Sequence, residues 1–365
     1  MKMDEHFMKI ALDLAATCRG KTSPNPVVGA VLVKEGQIVG TGAHLKAGDP
    51  HAEVHAFRMA GEHGKGATLY VTLEPCSHFG KTPPCAKLVC NSGVSRVVVA
   101  MEDPNPLVAG RGLQMLRRHG IEVEVGILKE EAELLNERFV HNMTKRRPFI
   151  ISKVAMTLDG KLAAHTGHSQ WITGERARSE VHQLRSEVDA ILVGIGTVLL
   201  DNPQLTARLP GNRKHPIRVI LDSQLRLPPT AHVADCSEAK TWVVAKEGAN
   251  PDKARELREQ GVDILFVPTV GGGLDLHTLA DILYKRGITD LLVEGGSEVN
   301  GSFLRAGLID KWIIYIASKI LGGRNSLTPY SGVDVEMMHD ALDVHIHSIR
   351  QAGDDLCITA YPANR

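Results

Sequence analysis

The sequence predicts two α/β domains in tandem, and three observations predict it. Strand-like and helix-like segments alternate along most of the chain, a basic run stops the alternation before the middle, and 365 residues suffice for about two domains. Hydrophobic residues make up 43% and charged residues 23%, the balance of an ordinary globular chain rather than a disordered one.

The first half opens on an amphipathic helix, since Phe7, Ile10, Ala11, Leu14 and Ala15 recur at helical spacing. A strand over 27–33 continues through the Glu35-Gly36 turn into a second strand over 38–42, which reads as a hairpin. Helices are expected over 51–60, 84–91, 113–119 and 130–143, and strands over 69–72 and 94–101. Lys145, Arg146, Arg147 and then Pro148 interrupt the pattern, so the boundary is set between 1–146 and 147–365. Beyond it, strands are expected over 149–156, 190–193, 218–221, 241–244, 263–267, 290–293, 312–317, 344–350 and 356–361. Helices are expected over 175–187, 276–285 and 299–306. No repeat or low-complexity segment is present.

Charge narrows the function. Lys plus Arg and Asp plus Glu number 42 each, and aromatic residues are 4%. A nucleic-acid binder relying on phosphate neutralisation and base stacking needs a basic excess and an aromatic surface, so a small-molecule substrate is expected instead. Asp4, Glu5 and Asp13 break any signal-peptide core, and no apolar run reaches the length of a membrane span. A cytoplasmic location and no membrane partner are expected. Six cysteines scattered over a chain of this length do not form a disulfide framework, and only Cys76, Cys85 and Cys90 cluster.

The strongest motif is His51-Ala52-Glu53 followed by Pro75-Cys76 and by Cys85. A zinc ion that activates water needs three protein ligands and an open position, which one imidazole and two thiolates supply. Glu53 is the expected proton shuttle between water and a departing amine. Cys85 falls at an expected helix N-terminus, where the dipole favours the thiolate. A purely structural zinc would take a fourth ligand in CxxC spacing; His78 and Cys90 are the only candidates, and neither fits that spacing.

Eight residues separate the two cysteines, where most cytidine-deaminase-like proteins have two. With HAEVHA before it and MEDPNPLVAGRG after it, TLEPCSHFGKTPPC resembles the deaminase domain of bifunctional riboflavin-biosynthesis proteins, as do TSPNPVVGAVLV and GAHLKAGDPHAE. The resemblance implies a cytidine-deaminase-like domain with one zinc per chain on His51, Cys76 and Cys85. It also implies that Asn25, His44 and Lys81 line the deaminase pocket.

In the second half, Gly295-Gly296 between a strand and a helix suits a phosphate held by backbone amides. Gly194-Ile195-Gly196-Thr197 lacks the third glycine of a Rossmann fingerprint. KVAMTLDGKLA, SQWIT, LVGIGTVLLDNPQLTAR and VEGGSEVNGSFL resemble the reductase domain of the same family, whose fold is similar to dihydrofolate reductase. The resemblance implies that Ala155, Trp171, Thr197, Asp201 and Ser223 contact NADPH, with Gly296, Ser297, Glu298, Val299, Asn300, Gly301 and Ser302 around its phosphates. It implies substrate contacts from Ser169, Arg185, Leu205, Arg208 and Glu294. Arg185 and Arg208 suit a substrate phosphate, because guanidinium forks match phosphate oxygens. Lys153, polar beside an apolar strand, is the candidate for steering charge or protons at the reduced carbon.

The family reaction is deamination of 2,5-diamino-6-(5-phosphoribosylamino)pyrimidin-4-one at ring carbon 2, then NADPH-dependent reduction of the ribosyl chain to ribityl. A homo-oligomer is also implied. Two other classes compete: a nucleic-acid-editing deaminase, opposed by zero net charge, and a metal-stabilised nucleotide-binding protein without catalysis, opposed by Glu53 beside His51.

Overall fold

Most of the expected strands are apolar enough to need cover, and the chain provides it around a five-stranded and a nine-stranded sheet. A computed structural model describes residues 2–77, 83–105, 109–211 and 214–363. The chain divides into two compact units, Met1–Arg146 and Arg147–Arg365.

The first unit runs α1 (Lys2–Ala16), β1 (Gly29–Lys34), β2 (Gln37–Ala43), α2 (Ala52–Ala60), β3 (Thr68–Val71), α3 (Cys85–Asn91), β4 (Arg96–Val99), α4 (Arg111–Arg118), β5 (Glu122–Val125), α5 (Lys129–Leu135) and α6 (Glu137–Lys145). Among the described residues its sheet has the order β2-β1-β3-β4-β5. The hairpin β1–β2 is antiparallel, β1 pairs antiparallel with β3, and β3, β4 and β5 are parallel. Leu32, Leu69, Val71, Val97 and Val99 turn to one face under α2, α3 and α4, while Val31, Val33, Tyr70 and Val98 turn to the other under α1 and α5. This alternation follows from the period of two in a strand. Helix α2 lies unusually close to β2, because a Cβ on Gly42 would stand 2.1 Å from the Ala52 carbonyl oxygen. The buried face of α2 is Ala52, Glu53, Ala56 and Ala60, small residues that permit the approach.

The second unit runs β6 (Phe149–Thr157), α7 (Glu175–Glu187), β7 (Ala190–Gly194), α8 (Ile195–Asp201), β8 (Ile217–Leu221), β9 (Thr241–Lys246), α9 (Pro251–Glu259), β10 (Asp263–Val267), the short pair β11 (Thr269–Val270) and β12 (Gly273–Leu274), α10 (Leu276–Lys285), β13 (Asp290–Val293), α11 (Ser297–Arg305), β14 (Lys311–Ala317), β15 (Val344–Ala352) and β16 (Asp355–Pro362). The sheet order is β10-β9-β8-β7-β13-β6-β14-β16-β15, parallel from β10 to β14 and antiparallel at the β14–β16–β15 end. β13 is inserted between β6 and β7, so the chain turns opposite ways from the strands at this point. Crevices outside the carboxyl ends of strands open at such places.

One expectation needs correction, and three elements arise where none was expected. The single helix over 130–143 is two helices broken at Asn136, which turns its side chain onto Val27. β5 escapes the sequence pattern because EVEV carries two glutamates at a sheet edge. α8 reads as a glycine turn because IGTVLLD is too short and too apolar to show a polar face. α9 has few apolar residues, although Asn250 caps it and Pro251 opens it.

Candidate functional site

In the first unit, α2 begins one residue after His51, whose extended backbone turns its ring toward the ends of β3 and α3. Cys76 follows β3, and Cys85 is the first residue of α3. The Sγ atoms of Cys76 and Cys85 lie 3.6 and 3.2 Å from Nδ1 of His51, and all three donor atoms fall within 4.8 Å of one another. Tetrahedral zinc with ordinary bond lengths separates a sulfur and a nitrogen ligand by roughly 3.5 Å. The Cys85 amide donates to Cys76 Sγ at 3.3 Å, a bond that favours the thiolate. Hydrogen bonds from Cys85 and His51 hold the Cys76 thiol well below the usual thiol range.

Glu53 sits on the first turn of α2, buried, with Oε2 unpartnered. Burial pushes its carboxyl up to about 7. A buried carboxylate oxygen with no partner beside two sulfur donors and an imidazole fits a metal site with a reacting group. These residues open into a pocket of about 470 Å³ that also contains Asn25 and His44. The Asn25 amide lies 3.3 Å from Nε2 of His44, and Nδ1 of His44 lies 3.3 Å from the Pro50 carbonyl oxygen. With Nδ1 donating to Pro50, Nε2 accepts from Asn25, and burial lowers the pKa of this ring. Lys81 and His78 lie outside the described residues. Cys90 stands apart, directed at the Met115 carbonyl oxygen. Asp103 and Asn105 line the same pocket and were not singled out, although the MEDPNP segment containing them was.

In the second unit, a pocket of about 350 Å³ opens at the carboxyl ends of β6, β7 and β13. It brings together Lys153, Ala155, Ser169, Trp171, Arg185, Thr197, Asp201, Arg208, Glu294, Gly296 and Ser297. Glu294 is the centre: Oε2 lies 2.6 Å from Lys153 Nζ, and Oε1 accepts from Arg185 Nε at 2.7 Å. Burial would raise this carboxyl, but Arg185 and Lys153 hold it well below the ordinary carboxylate range. Arg185 also donates Nη2–H to Glu294 Oε2 and Nη1–H to the Thr206 carbonyl. Its guanidinium is therefore largely committed within the protein. Arg208 is exposed, held by Gln204 and by its main-chain N–H to Nδ1 of His182. Arg208 suits a phosphate better than Arg185.

Several expected residues do not reach this pocket. Leu205 is buried with φ +54°, and its side chain does not line the pocket. Ser223 follows β8, two strands from β13, and is not among the lining residues. Along α11 only Gly296 and Ser297 face the pocket, because the helix turns its later residues elsewhere. Val299 packs on Gly194 and Gly295, and Glu298 is exposed. Asn300 donates to the Pro329 carbonyl, a Cβ on Gly301 would stand 1.8 Å from the Ser331 oxygen, and Ser302 donates to the Glu298 carbonyl. The segment's glycine and asparagine thus serve helix packing. Arg178 and His182 line the pocket and were missed. They share a helical face with Arg185, and the Arg178 guanidinium lies 4.9 Å over the exposed Trp171 ring.

Comparison with known proteins joins the two pockets to one lineage. Residues 1–101 match the cytidine and deoxycytidylate deaminase zinc-binding region, and residues 148–358 match the RibD C-terminal domain. The chain is 47% identical over 360 residues to the riboflavin biosynthesis protein RibD of Bacillus amyloliquefaciens, covering 99% of this chain and 96% of that one. The chain belongs to the RibD family. RibD-family chains join a zinc-binding deaminase domain to an NADPH-dependent reductase domain in riboflavin biosynthesis. The Escherichia coli RibD is 44% identical, with 97% of this chain and 98% of that one covered. The solved Acinetobacter baumannii RibD superposes with a TM-score of 0.89 at 41% identity over 99% of both chains. A Thermotoga maritima structure, described as a diaminohydroxyphosphoribosylaminopyrimidine deaminase and 5-amino-6-(5-phosphoribosylamino)uracil reductase, has a TM-score of 0.86 at 39% identity over 99% of both. Full-length RibD membership sets aside the nucleic-acid-editing and non-catalytic readings.

Proposed function

We propose that residues 1–146 deaminate 2,5-diamino-6-(5-phosphoribosylamino)pyrimidin-4-one at ring carbon 2. Residues 147–365 then reduce the ribosyl side chain with NADPH, giving 5-amino-6-(5-phosphoribitylamino)uracil. The observation that carries this reading is the meeting of His51, Cys76 and Cys85 beside the unpartnered Oε2 of buried Glu53. Zinc held by the three residues supplies Lewis-acid activation of water. Glu53 takes a proton at Oε2 and returns it to the amine nitrogen that departs from ring carbon 2. Asn25 and neutral His44 orient the pyrimidine, and Lys81 belongs to the same pocket by resemblance.

In the reductase unit, bound NADPH supplies the hydride. Thr197, Asp201, Gly296 and Ser297, with Ala155 and the Trp171 ring, hold the cofactor. Arg208 takes the substrate phosphate, Ser169 a sugar hydroxyl, and Lys153, fixed by Glu294, directs a proton to the ribose ring oxygen, whose bond to the carbon that takes the hydride breaks to open the sugar. The assay is full-length protein with the diaminopyrimidine phosphate, following ammonia and NADPH together. Ammonia release followed by NADPH oxidation is expected; absence of ammonia from zinc-loaded protein refutes the deaminase reading.

The proposal extends to a homo-oligomer in the cytoplasm. β15 forms a sheet edge and exposes Val344, Ile346 and Ile349, an apolar edge that favours pairing with a second copy. All six cysteines are free, the state that a reducing compartment maintains. No helix among the described residues is long and apolar enough to cross a membrane. Sedimentation of the intact chain as a monomer at micromolar concentration would refute the oligomer.

A further inference from the structure

Glu74 is a buried carboxylate that no step above uses. It follows β3, and its own N–H donates to the Met101 carbonyl at 3.0 Å. Four main-chain amides meet its side chain: Gly112 at 2.8 Å and Leu113 at 3.3 Å on Oε1, Gly110 at 2.9 Å and Asp103 at 3.2 Å on Oε2. A buried carboxylate is tolerated when its lone pairs are taken in this way. The cap residue of α4 is Gly110, which has no side chain to offer its first turn. Glu74 does so from 36 positions away, with its charge at the positive end of the helix.

The two sides of this junction both belong to the deaminase pocket. Two residues along the chain from Glu74 is Cys76, and between them the Pro75 carbonyl oxygen lies 2.2 Å from where a Cβ on Gly112 would stand. On the other side, the amide held by Glu74 is that of Asp103, whose Oδ1 accepts from Asn105 N–H at 2.9 Å. Asp103 and Asn105 both line the pocket.

We infer that Glu74 is a positioning residue of the deaminase, its carboxylate holding Cys76 in register with the pocket wall at Asp103 and Asn105. The inference rests on the zinc reading above. Glutamine at this position keeps the shape but turns an amide NH₂ toward two N–H donors, releasing one side of the junction.

The test uses the full-length chain as purified. Chelator competition measures zinc affinity, ammonia release gives kcat and KM, and NADPH oxidation with deaminated substrate monitors the second unit. Glu74→Gln should hold zinc on the order of 10–100-fold less tightly, as loss of a ligand's supporting partner does, and Glu74→Ala more weakly still. KM for the pyrimidine should rise in both, while reduction proceeds at the parent rate. A folded Glu74→Gln variant with zinc affinity and ammonia kinetics within about twofold of the parent overturns the inference. If the variant does not fold, Gly112→Ala replaces it, its methyl pressing on the Pro75 carbonyl oxygen and on Glu74 Oε1 together and so disturbing the junction with the carboxylate kept. Weakened zinc in that variant supports the inference, and unchanged zinc overturns it. A parent chain that binds no zinc refutes the zinc reading itself, and is seen before any variant is made.

Discussion

At the scale of single residues, Glu294 sets the charge of the reductase pocket. Its carboxylate accepts from Arg185 and pairs with Lys153, so two cations are held in place by one buried anion. The two arginines that sequence treats alike therefore behave differently. Arg208→Ala should weaken binding of the phosphorylated reductase substrate by about 1.5–3 kcal/mol, the range for a charged hydrogen bond, with NADPH affinity unchanged. Titration calorimetry with each ligand checks this. Arg185→Ala should instead destabilise the fold by about 2 kcal/mol, below the roughly 3–5 kcal/mol of a fully orphaned buried charge because Lys153 remains. Denaturant unfolding separates that loss from any loss of affinity. Guanidinium chemistry suggested a phosphate for both, but burial against Glu294 is a contact between residues 109 positions apart and leaves no local trace.

At the scale of elements, the break between α5 and α6 carries a consequence for the deaminase pocket. Asn136 accepts from Val27 N–H at 2.9 Å and donates to the Val27 carbonyl at 3.0 Å, satisfying both backbone groups of a residue two positions from Asn25. Asn136→Ala should cost about 1–3 kcal/mol by leaving those buried groups unpaired. It should also raise KM for ammonia release; chemical denaturation and steady-state kinetics test the two effects.

Helix α1 is fastened at its first turn in a different way. Asp4 bonds Arg96 and the Tyr70 hydroxyl, and Arg96 also meets Glu122 and Glu124. The Arg96 hydrogen bond lowers the Asp4 carboxyl from its ordinary 3.8 to about 2. A depressed carboxyl stabilises the fold fully above the ordinary value, and this stabilisation fades as pH falls through the window from about 4 to about 2. Asp4→Asn should flatten that part of the unfolding midpoint against pH, and an unchanged slope would place the acid sensitivity elsewhere.

At the scale of the whole molecule, the proposed groups of the two reactions lie in different units. Every zinc-site residue belongs to Met1–Arg146 and every reductase residue to Arg147–Arg365. Removing zinc with a chelator should stop ammonia release while NADPH oxidation of the deaminated substrate continues at close to the original rate. Glu53→Gln should retain zinc, lose ammonia release by about 10²–10⁴-fold, and still reduce deaminated substrate. Half-reaction assays on each preparation decide the point; joint loss of both activities in folded, zinc-loaded Glu53→Gln would rule out independent sites.

Legible in the sequence were the histidine, glutamate and cysteine pattern of the first unit and the alternation of strands and helices. Ligand type and spacing are local, so His51, Glu53, Cys76 and Cys85 could be picked out before any coordinates, and hydrophobic periodicity located most elements. Tertiary structure alone decided which residues serve those elements as supports. Asn300 and Gly301 sit in a phosphate-like motif yet pack α11 against 329–331, Leu205 is buried, and Arg178 and His182 enter the pocket beside Arg185. Glu74 and Asn136 act through backbone amides and carbonyls far along the chain. Such bonds depend on the distance and direction between segments, quantities that periodicity and motif spacing do not encode.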